Sequence, residues 1–122
     1  MQLALLCPDP FLRAVFVRMF RRRDCAILAV PAEEALEALL RRHAVDAVVV
    51  DGGHHELDAV ALSWRLQRQT PTLSVAVLTD DVPGMLDALP RAVAVVRRRC
   101  MPDELFDMLD LPRRDAAAGV CS

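Results

Sequence analysis

A carboxylate and two glycines directly follow a run of three valines in this chain. The segment 45–53 reads VDAVVVDGG, so the apolar run ends at Asp51. Consecutive valines with apolar flanks are typical of a strand buried on both faces, and the glycines let the backbone turn directly after it. Ligands and chemistry of open parallel sheets lie at the carboxyl ends of the strands. The pattern therefore predicts that Asp51 lies at the functional edge of such a sheet.

Histidines and cysteines could add metal or redox chemistry near this carboxylate. His54 and His55 follow the two glycines, and Cys7 follows the first apolar run. A Cys/His/Asp zinc cluster is one interpretation, but no CxxC pair or zinc-type spacing supports it. Adjacent histidines rarely both reach one ion, so the sequence favours solvated loop histidines. It also favours free, buried thiols over a metal or redox role.

The elements that must position these residues alternate regularly along the chain. Five apolar segments predict strands at 2–7, 25–30, 45–50, 73–78 and 92–96. Helical spacing predicts helices at 10–23, 32–42, 56–69 and 83–89 and a last one from Pro102. Asp9 is the expected N-cap of the first helix, ahead of Pro10 at its first position. Trp64 is expected to pack in the core. The alternation predicts an α/β fold whose parallel sheet is covered on both faces.

Composition narrows the class of protein further. The 122 residues suit one domain. A net charge of −2 gives no nucleic-acid signature, and no apolar run approaches the ~20 residues needed to span a bilayer. With no targeting segment recognised, the expected location is the cytoplasm. All 15 basic residues are arginine, and the Ala, Val and Arg bias is typical of a GC-rich bacterial genome.

The strand ending at Asp51, within a five-fold β/α alternation of this length, resembles the receiver domain of bacterial response regulators. The resemblance covers about residues 1–110, so a receiver-like domain is expected at 1–111, with a flexible tail or linker stub at 112–122. It implies a flavodoxin-like three-layer fold with strand order 2-1-3-4-5. The segment between Thr79 and Arg98 is short for the family, which implies a shortened fourth helix.

The resemblance also assigns positions to individual site residues. Asp51 falls on the phosphoacceptor and Thr79 on the hydroxyl position after the fourth strand. The acidic pair that holds magnesium in the family falls on Cys7 and on a proline, with Asp9 one place beyond. The lysine position falls on Arg98. A disulfide between Cys7 and Cys100 is not expected, because the implied strand order separates their strands and a disulfide needs Cα atoms within about 7 Å.

These departures predict a pseudo-receiver that is not an enzyme and holds no cofactor. Magnesium requires hard oxygen ligands, which cysteine and proline do not offer, and the arginine fork is not equivalent to an ammonium group. Asp51 is then expected in an ion pair with Arg98, or hydrated at the rim. One alternative is a working phosphoacceptor modified on Asp51 by a histidine kinase. A weaker one is a ligand or metal site using Cys7, Asp51 and His54.

Partners are expected to be proteins and not membranes or nucleic acid. In the family, the face formed by the fourth helix, fifth strand and fifth helix commonly mediates dimerisation or docking. A protein partner or a homodimer is therefore expected there, and the shortened fourth helix should expose more of the sheet on this face. The predicted interaction surface comprises Leu86, Leu89, Val93, Val95, Phe106 and Leu109.

Overall fold

The computed structural model describes residues 2–53 and 58–98, which form alternating strands and helices. The strands are β1 (Gln2–Leu6), β2 (Ala26–Val30), β3 (Ala47–Asp51), β4 (Ser74–Thr79) and β5 (Ala94–Arg97). The helices are α1 (Pro10–Arg21), α2 (Glu33–Arg42), α3 (Ala59–Gln69) and α4 (Val82–Ala88). Each described element was expected from the sequence, with ends that differ by up to three residues. The last predicted helix and the boundary at 111/112 lie outside the described residues.

The five strands form one parallel sheet in the order β2-β1-β3-β4-β5. This order and the flavodoxin-like fold predicted for the chain are confirmed. In the register, Asp51 of β3 lies opposite Leu78 of β4, and Thr79 lies opposite Arg97 of β5. The carboxyl ends of β3, β4 and β5 therefore meet at one edge, with Asp51 among them.

Two hydrophobic cores cover the two faces of the sheet. Alternate strand residues point to opposite faces, so Leu3, Leu5 and Val49 join one core and Ala4, Leu6 and Val48 the other. The first core holds Phe16 and Phe20 of α1. The second holds buried residues of the other three helical segments, namely Leu36, Leu62, Leu66 and Leu89. Helix α1 thus lies on one face, and α2, α3 and α4 pack on the opposite face.

Aspartate side chains cap the N-termini of helices α1 and α4. The Asp9 carboxylate accepts hydrogen bonds from the backbone N–H groups of Phe11 and Leu12, at 2.9 and 3.3 Å, with Pro10 at the first helical position. This is the N-cap predicted from the sequence. Helix α4 has only seven residues, capped by Asp81, which accepts from the Gly84 N–H at 3.2 Å. The fourth helix is therefore short, as the sequence predicts.

Two expectations about packing are wrong. Trp64 is 48% exposed, and its indole Nε1 donates to the Ala88 carbonyl at 2.9 Å, which joins α3 to the end of α4. The sheet beside α4 is also not laid open, because Ala94, Val95 and Val96 are buried. Among the described residues, no helix is long and apolar enough to cross a membrane.

Candidate functional site

Asp51 lies at the end of β3 with no solvent exposure. Its Oδ1 atom accepts a hydrogen bond from the Gly53 backbone N–H at 3.2 Å, across the turn that the two glycines make. The Gly52 N–H donates to the Leu78 carbonyl at 2.8 Å, which holds the start of this turn against β4. The turn predicted from the sequence therefore forms and fixes the direction of the carboxylate.

Arg98, directly after β5, forms the ion pair with Asp51. Its Nε donates to Asp51 Oδ1 at 3.1 Å, and one terminal nitrogen donates to the same oxygen at short range. The other terminal nitrogen lies 4.0 Å from the Asp80 carboxylate. The Arg98 side chain is 25% exposed, so its guanidinium closes the site on the solvent side. The predicted pairing of Asp51 with Arg98 is present.

Cys7 covers the other oxygen of the carboxylate. Its Sγ lies 3.5 Å from Asp51 Oδ2, and the side chain is fully buried. Burial, together with the charge and hydrogen bond of Asp51, raises the pKa of the Cys7 thiol to about 12. Near neutral pH this residue is therefore a neutral S–H group that can donate to Asp51. It is not a thiolate, which would be the form that binds metals or attacks electrophiles.

The two remaining predicted site residues use their oxygens elsewhere. Asp9 caps helix α1, as described above. The Thr79 hydroxyl, buried at the end of β4, accepts from the Asp81 N–H at 2.9 Å and so supports the start of α4. Both residues lie at the carboxyl edge of the sheet. Their contacts within the described residues are structural.

Three contacts of this site were not predicted from the sequence. The Gly53 N–H bonds Asp51, the Arg13 guanidinium donates to the Cys7 carbonyl at 2.9 Å, and Asp80 lies beside Arg98. The signal for Asp80 was its position next to Thr79 at a strand end. No sequence pattern pointed to Arg13, because its contact depends on how α1 lies against the loop after β1.

The predicted interaction surface is only partly exposed. Leu86 is exposed on α4, as expected. Leu89, Val93 and Val95 are buried in the core beneath α4, so they do not offer a surface to a partner. This corrects the prediction for these three residues, because their side chains lie in the core between the sheet and the helices on the α4 face. Phe106, Leu109, His54, His55 and Cys100 lie outside the described residues.

Solved structures with the same fold include receiver domains. A response regulator receiver domain from Clostridium thermocellum is 14% identical, with 89% of this chain and 90% of that chain covered and a TM-score of 0.76. The response regulator TrrA from Thermotoga maritima, in complex with Mg²⁺ and BeF, is 14% identical over 89% and 96%, with a TM-score of 0.77. The receiver domain of a sensor histidine kinase from Pseudomonas aeruginosa PAO1, with magnesium coordinated in its active site cleft, is 18% identical over 89% and 93%, with a TM-score of 0.71.

No protein-family model and no curated protein sequence matches the chain. The fold is the one seen in response regulator receiver domains, so the resemblance drawn from the sequence is confirmed at the level of the fold. With this fold, the chain carries Cys7, Asp51 and Arg98 at its candidate site, in the contacts described above.

The side chains around Asp51 do not fit a magnesium ion. Magnesium takes hard oxygen ligands in octahedral geometry, whereas Asp51 faces a soft, protonated thiol on one side and a guanidinium on the other. Asp9, the nearest further acid along the loop, is occupied as an N-cap. Within residues 2–53 and 58–98, no group of three or more His, Cys, Asp and Glu side chains is arranged to hold a metal ion.

Proposed function

We propose that this chain is a pseudo-receiver: a non-catalytic, cytoplasmic module of bacterial two-component signalling that acts through protein contacts without phosphorylation. The single observation that carries the proposal is the ion pair between Arg98 and the buried Asp51. In this arrangement a group of the protein itself balances the carboxylate charge.

The same contacts oppose phosphoryl transfer to Asp51. Phosphoryl transfer depends on positioning of the attacking oxygen and on neutralisation of the charge that develops on the phosphoryl group. Asp51 Oδ1 already accepts from Arg98 and from the Gly53 N–H, and Oδ2 faces the Cys7 thiol. A phosphodonor would have to displace Arg98 before Oδ1 could attack, or the Cys7 side chain before Oδ2 could attack. Within residues 2–53 and 58–98, it would then meet no carboxylate pair able to bring in a divalent cation.

A working phosphoacceptor is the second candidate, and its support is the position of the residues. Asp51 is the last residue of β3, and Thr79, which carries a hydroxyl, is the last residue of the adjacent strand β4. If Arg98 moved aside, it could remain near enough to neutralise negative charge on a phosphoryl group. Under this alternative, Asp51 would be modified by a histidine kinase.

Exposure to a small phosphodonor separates the two candidates. The protein is incubated with acetyl phosphate and Mg²⁺, beside a receiver domain that carries the complete acidic pair and lysine as a positive control. Intact mass is then measured at once. The pseudo-receiver proposal expects no phosphoryl adduct on this chain. An adduct that is absent from Asp51→Asn would overturn the proposal and establish the phosphoacceptor.

The weaker ligand or metal alternative is tested separately by elemental analysis of the purified protein. A stoichiometric metal that is lost in both Cys7→Ala and Asp51→Asn would support it.

For the protein partner, we propose contact on the face of α4, where Leu86 is exposed. Leu86→Arg should then weaken capture of that partner, whereas Arg42→Glu at the exposed end of α2 should leave it unchanged.

A further inference from the structure

Strand β2 forms one edge of the sheet, and its outer side carries backbone groups that no described strand pairs with. The Val30 carbonyl accepts a hydrogen bond from the Cys7 N–H at 3.0 Å, so the backbone polar groups of Val30 face β1. Successive residues of a strand direct these groups to opposite sides, so those of Ile27 and Ala29 face away from β1. An unpaired strand edge of this kind is a template for pairing with another extended chain.

A groove of about 630 Å³ lies beside this edge, between β2 and helix α1. Ala29 lines it on the strand side. The helix side is lined by Pro10 and by pairs of residues that recur every four positions and therefore share one flank of α1. These pairs are Arg13 and Ala14, Val17 and Arg18, and Arg21 and Arg22. Four arginines thus lie next to the unpaired backbone groups of the edge.

The arginines of this groove have no acidic partner among the described residues. The Arg13 guanidinium donates to the Cys7 carbonyl at 2.9 Å, which is a neutral partner. Within residues 2–53 and 58–98, no carboxylate lines the groove or forms an ion pair with its arginines. A cleft lined by one sign of charge attracts ligands of the opposite sign. Carboxylates suit such a groove, because guanidinium groups bind them through paired hydrogen bonds.

The acidic residues at the two ends of α1 lie outside the groove. Asp9 precedes the helix, and its carboxylate is used as the N-cap. Asp24 lies in the turn that follows the helix. On the opposite face of the sheet, Glu33 of α2 pairs with Arg65 of α3. The charge of the groove is therefore set by its own arginines.

The two sides of the β2 edge would meet different side chains of an added strand. Ile27 and Ala29 lie on the α1 face, the face of the arginines. Val30 lies on the opposite face and packs against the second hydrophobic core. Because the side chains of a strand alternate between faces, every second residue of an added strand would lie near the arginines and the others beside apolar surface. The sequence that fits this edge therefore alternates acidic and apolar residues.

A second copy of this chain does not fit the edge well. Two β2 strands paired antiparallel would be related by a twofold axis perpendicular to the joined sheet. Both α1 helices would then lie on the same face, with their arginine flanks toward each other, and repulsion disfavours such a pair. The sequence of β2, AILAV, also offers no acidic side chain to the groove of a partner copy.

We propose that the β2 edge and the arginine groove together bind an extended segment of a partner protein in which acidic and apolar residues alternate. The backbone of the segment pairs with Ile27 and Ala29 as an added strand, and its carboxylates contact the arginines of α1. Neither Asp51 nor Arg98 takes part. The contact therefore goes beyond the proposed pseudo-receiver function, and its test can succeed or fail independently of that proposal.

Peptides of defined sequence test the contact. A fluorescently labelled eight-residue peptide of alternating valine and glutamate is titrated with the wild-type protein at about 0.1 M salt and followed by anisotropy. It should bind saturably, with one peptide per chain. A matched peptide of alternating valine and lysine should bind about tenfold more weakly or worse, because its charge repels the arginines. Absence of saturable binding, or equal binding of the lysine peptide, would overturn the proposal.

Methylated peptides separate strand pairing from attraction between charges alone. One form of the valine–glutamate peptide is N-methylated on its valines and the other on its glutamates, so each loses the N–H groups on one side of the extended chain. The form methylated on the side that faces β2 should bind about tenfold more weakly or worse, and the other should bind as the parent does. Equal effects of the two methylations would contradict strand pairing. Complete displacement of the parent peptide by equimolar inorganic tripolyphosphate would identify a general anion groove and contradict it too.

Variants of the protein locate the site. Ala29→Pro removes an N–H that faces away from β1, a position at which edge strands accept proline, and it should abolish peptide binding. The double variant Arg18→Glu/Arg21→Glu should weaken binding about tenfold or more, because it reverses two charges of the groove. Arg68→Glu makes the same charge change at an exposed position of α3 and should bind as the wild type does.

Circular dichroism establishes that each variant is folded. If Ala29→Pro is unfolded, the arginine variant and the methylated peptides decide the question. Wild-type affinity in folded Ala29→Pro or in the arginine variant would refute the proposal. A wild-type dimer in sedimentation that Ala29→Pro abolishes would assign the edge to a second copy and would refute it as well.

Discussion

The Asp51 carboxylate has no contact with solvent, and it forms an ion pair with Arg98. A charge buried without a partner is costly, whereas a charge near the surface can be hydrated. The two members of this pair are not equal in that respect. Arg98 is a quarter exposed and also lies near Asp80, so it can lose its partner with less penalty than Asp51 can.

Stability should therefore respond unequally to removal of the two partners. Arg98→Ala should lower the free energy of unfolding by about 2–3 kcal/mol, less than for a fully buried pair because Arg98 is partly exposed. Asp51→Asn should cost only about 1 kcal/mol, since it leaves no charge in the core. Urea denaturation with unchanged m-values measures both. Equal losses, or a larger loss for Asp51→Asn, would contradict this account of the pair.

The buried thiol of Cys7 should make stability depend on pH above about 9. Its pKa is raised from an ordinary value near 9 to about 12, so between these values the unfolded chain releases a proton that the folded chain keeps. Folding stability should then fall as pH rises, by at most about 1.4 kcal/mol per pH unit for this group. Below pH 9 the thiol is protonated in both states and contributes no slope.

This chain suits that measurement because it has no lysine and no tyrosine. Thiols are then the side chains whose ordinary pKa values lie between pH 8 and 11. Urea denaturation between about pH 8 and 10.5 should show a smaller slope for Cys7→Ala than for wild type. Cys25→Ala is the comparison, since burial also raises the pKa of Cys25. A wild-type slope that survives intact in Cys7→Ala would contradict the assignment to Cys7.

At the scale of the elements, the Gly52–Gly53 turn after β3 lies against both strand β4 and the Arg98 side chain that pairs with Asp51. A Cβ on Gly53 would lie 2.8 Å from the Arg98 Cζ, the far end of a flexible side chain. A Cβ on Gly52 would lie 2.6 Å from Val77 Cγ1 and 2.8 Å from the Leu78 carbonyl oxygen, which belongs to the backbone of β4. The first clash is relieved by moving Arg98, and the second requires movement of the sheet.

A double-mutant cycle should distinguish these two glycines. Gly52→Ala should cost about 1–3 kcal/mol, as overpacking does, in both wild-type and Arg98→Ala backgrounds. Gly53→Ala should destabilise the wild type by displacing Arg98 from Asp51, and should be neutral or slightly stabilising once Arg98 is absent. The measurement is urea denaturation of the wild type, the three single variants and the two double variants. Additive effects for Gly53 and Arg98 would show that the turn does not position the guanidinium.

The sequence predicted the elements well where local chemistry determines them. The N-cap at Asp9, the strand ending at Asp51 and the short α4 follow from side chains next to the element they end. The face of α1 was less evident. Phe11 and Val15 follow helical spacing and yet are exposed, because the same helix carries Phe16 and Phe20, which pack in the core. Periodicity alone does not decide between two apolar stripes.

Contacts between distant elements were predicted unevenly. The Asp51–Arg98 pair was anticipated because the resemblance places Asp51 at the phosphoacceptor position and Arg98 at the lysine position, at the same edge of the sheet. Trp64 and the buried residues Leu89 and Val93 were misplaced, because their exposure depends on how α3, α4 and β5 pack. Tertiary packing of this kind leaves no signal in the spacing of one helix.

At the scale of the whole molecule, the backbone and the site chemistry vary independently. Three receiver structures share this fold at TM-scores of 0.71 to 0.77 with only 14 to 18% identity. Apolar patterning is sufficient to specify such a sheet and its layers, whereas function depends on a few side chains at its edge. The pseudo-receiver proposal therefore predicts that magnesium binding and phosphoryl transfer can be introduced at this edge without changing the fold.

The double variant Cys7→Asp/Arg98→Lys should gain magnesium binding. A carboxylate at position 7 would lie close to Asp51, since the Cys7 Sγ is 3.5 Å from its Oδ2. Two carboxylates provide hard oxygen ligands, and replacing the guanidinium with a compact ammonium frees space beside Oδ1. Without metal, like charges should destabilise the variant. Mg²⁺ at tenfold its Kd should restore about 1.4 kcal/mol, measured by thermal unfolding.

Its control is the same variant with Asp51→Asn added, which removes one of the two charges and should respond less to Mg²⁺. The wild type should show no Mg²⁺-dependent shift, because its donors are a thiol and a paired carboxylate. Acetyl phosphate with Mg²⁺ should then give a mass adduct on the double variant that is absent from the triple variant. The double variant could instead show no Mg²⁺-dependent change in its unfolding temperature and take up no phosphoryl group. Side chains or backbone at this edge other than positions 7 and 98 would then also oppose magnesium binding and phosphoryl transfer.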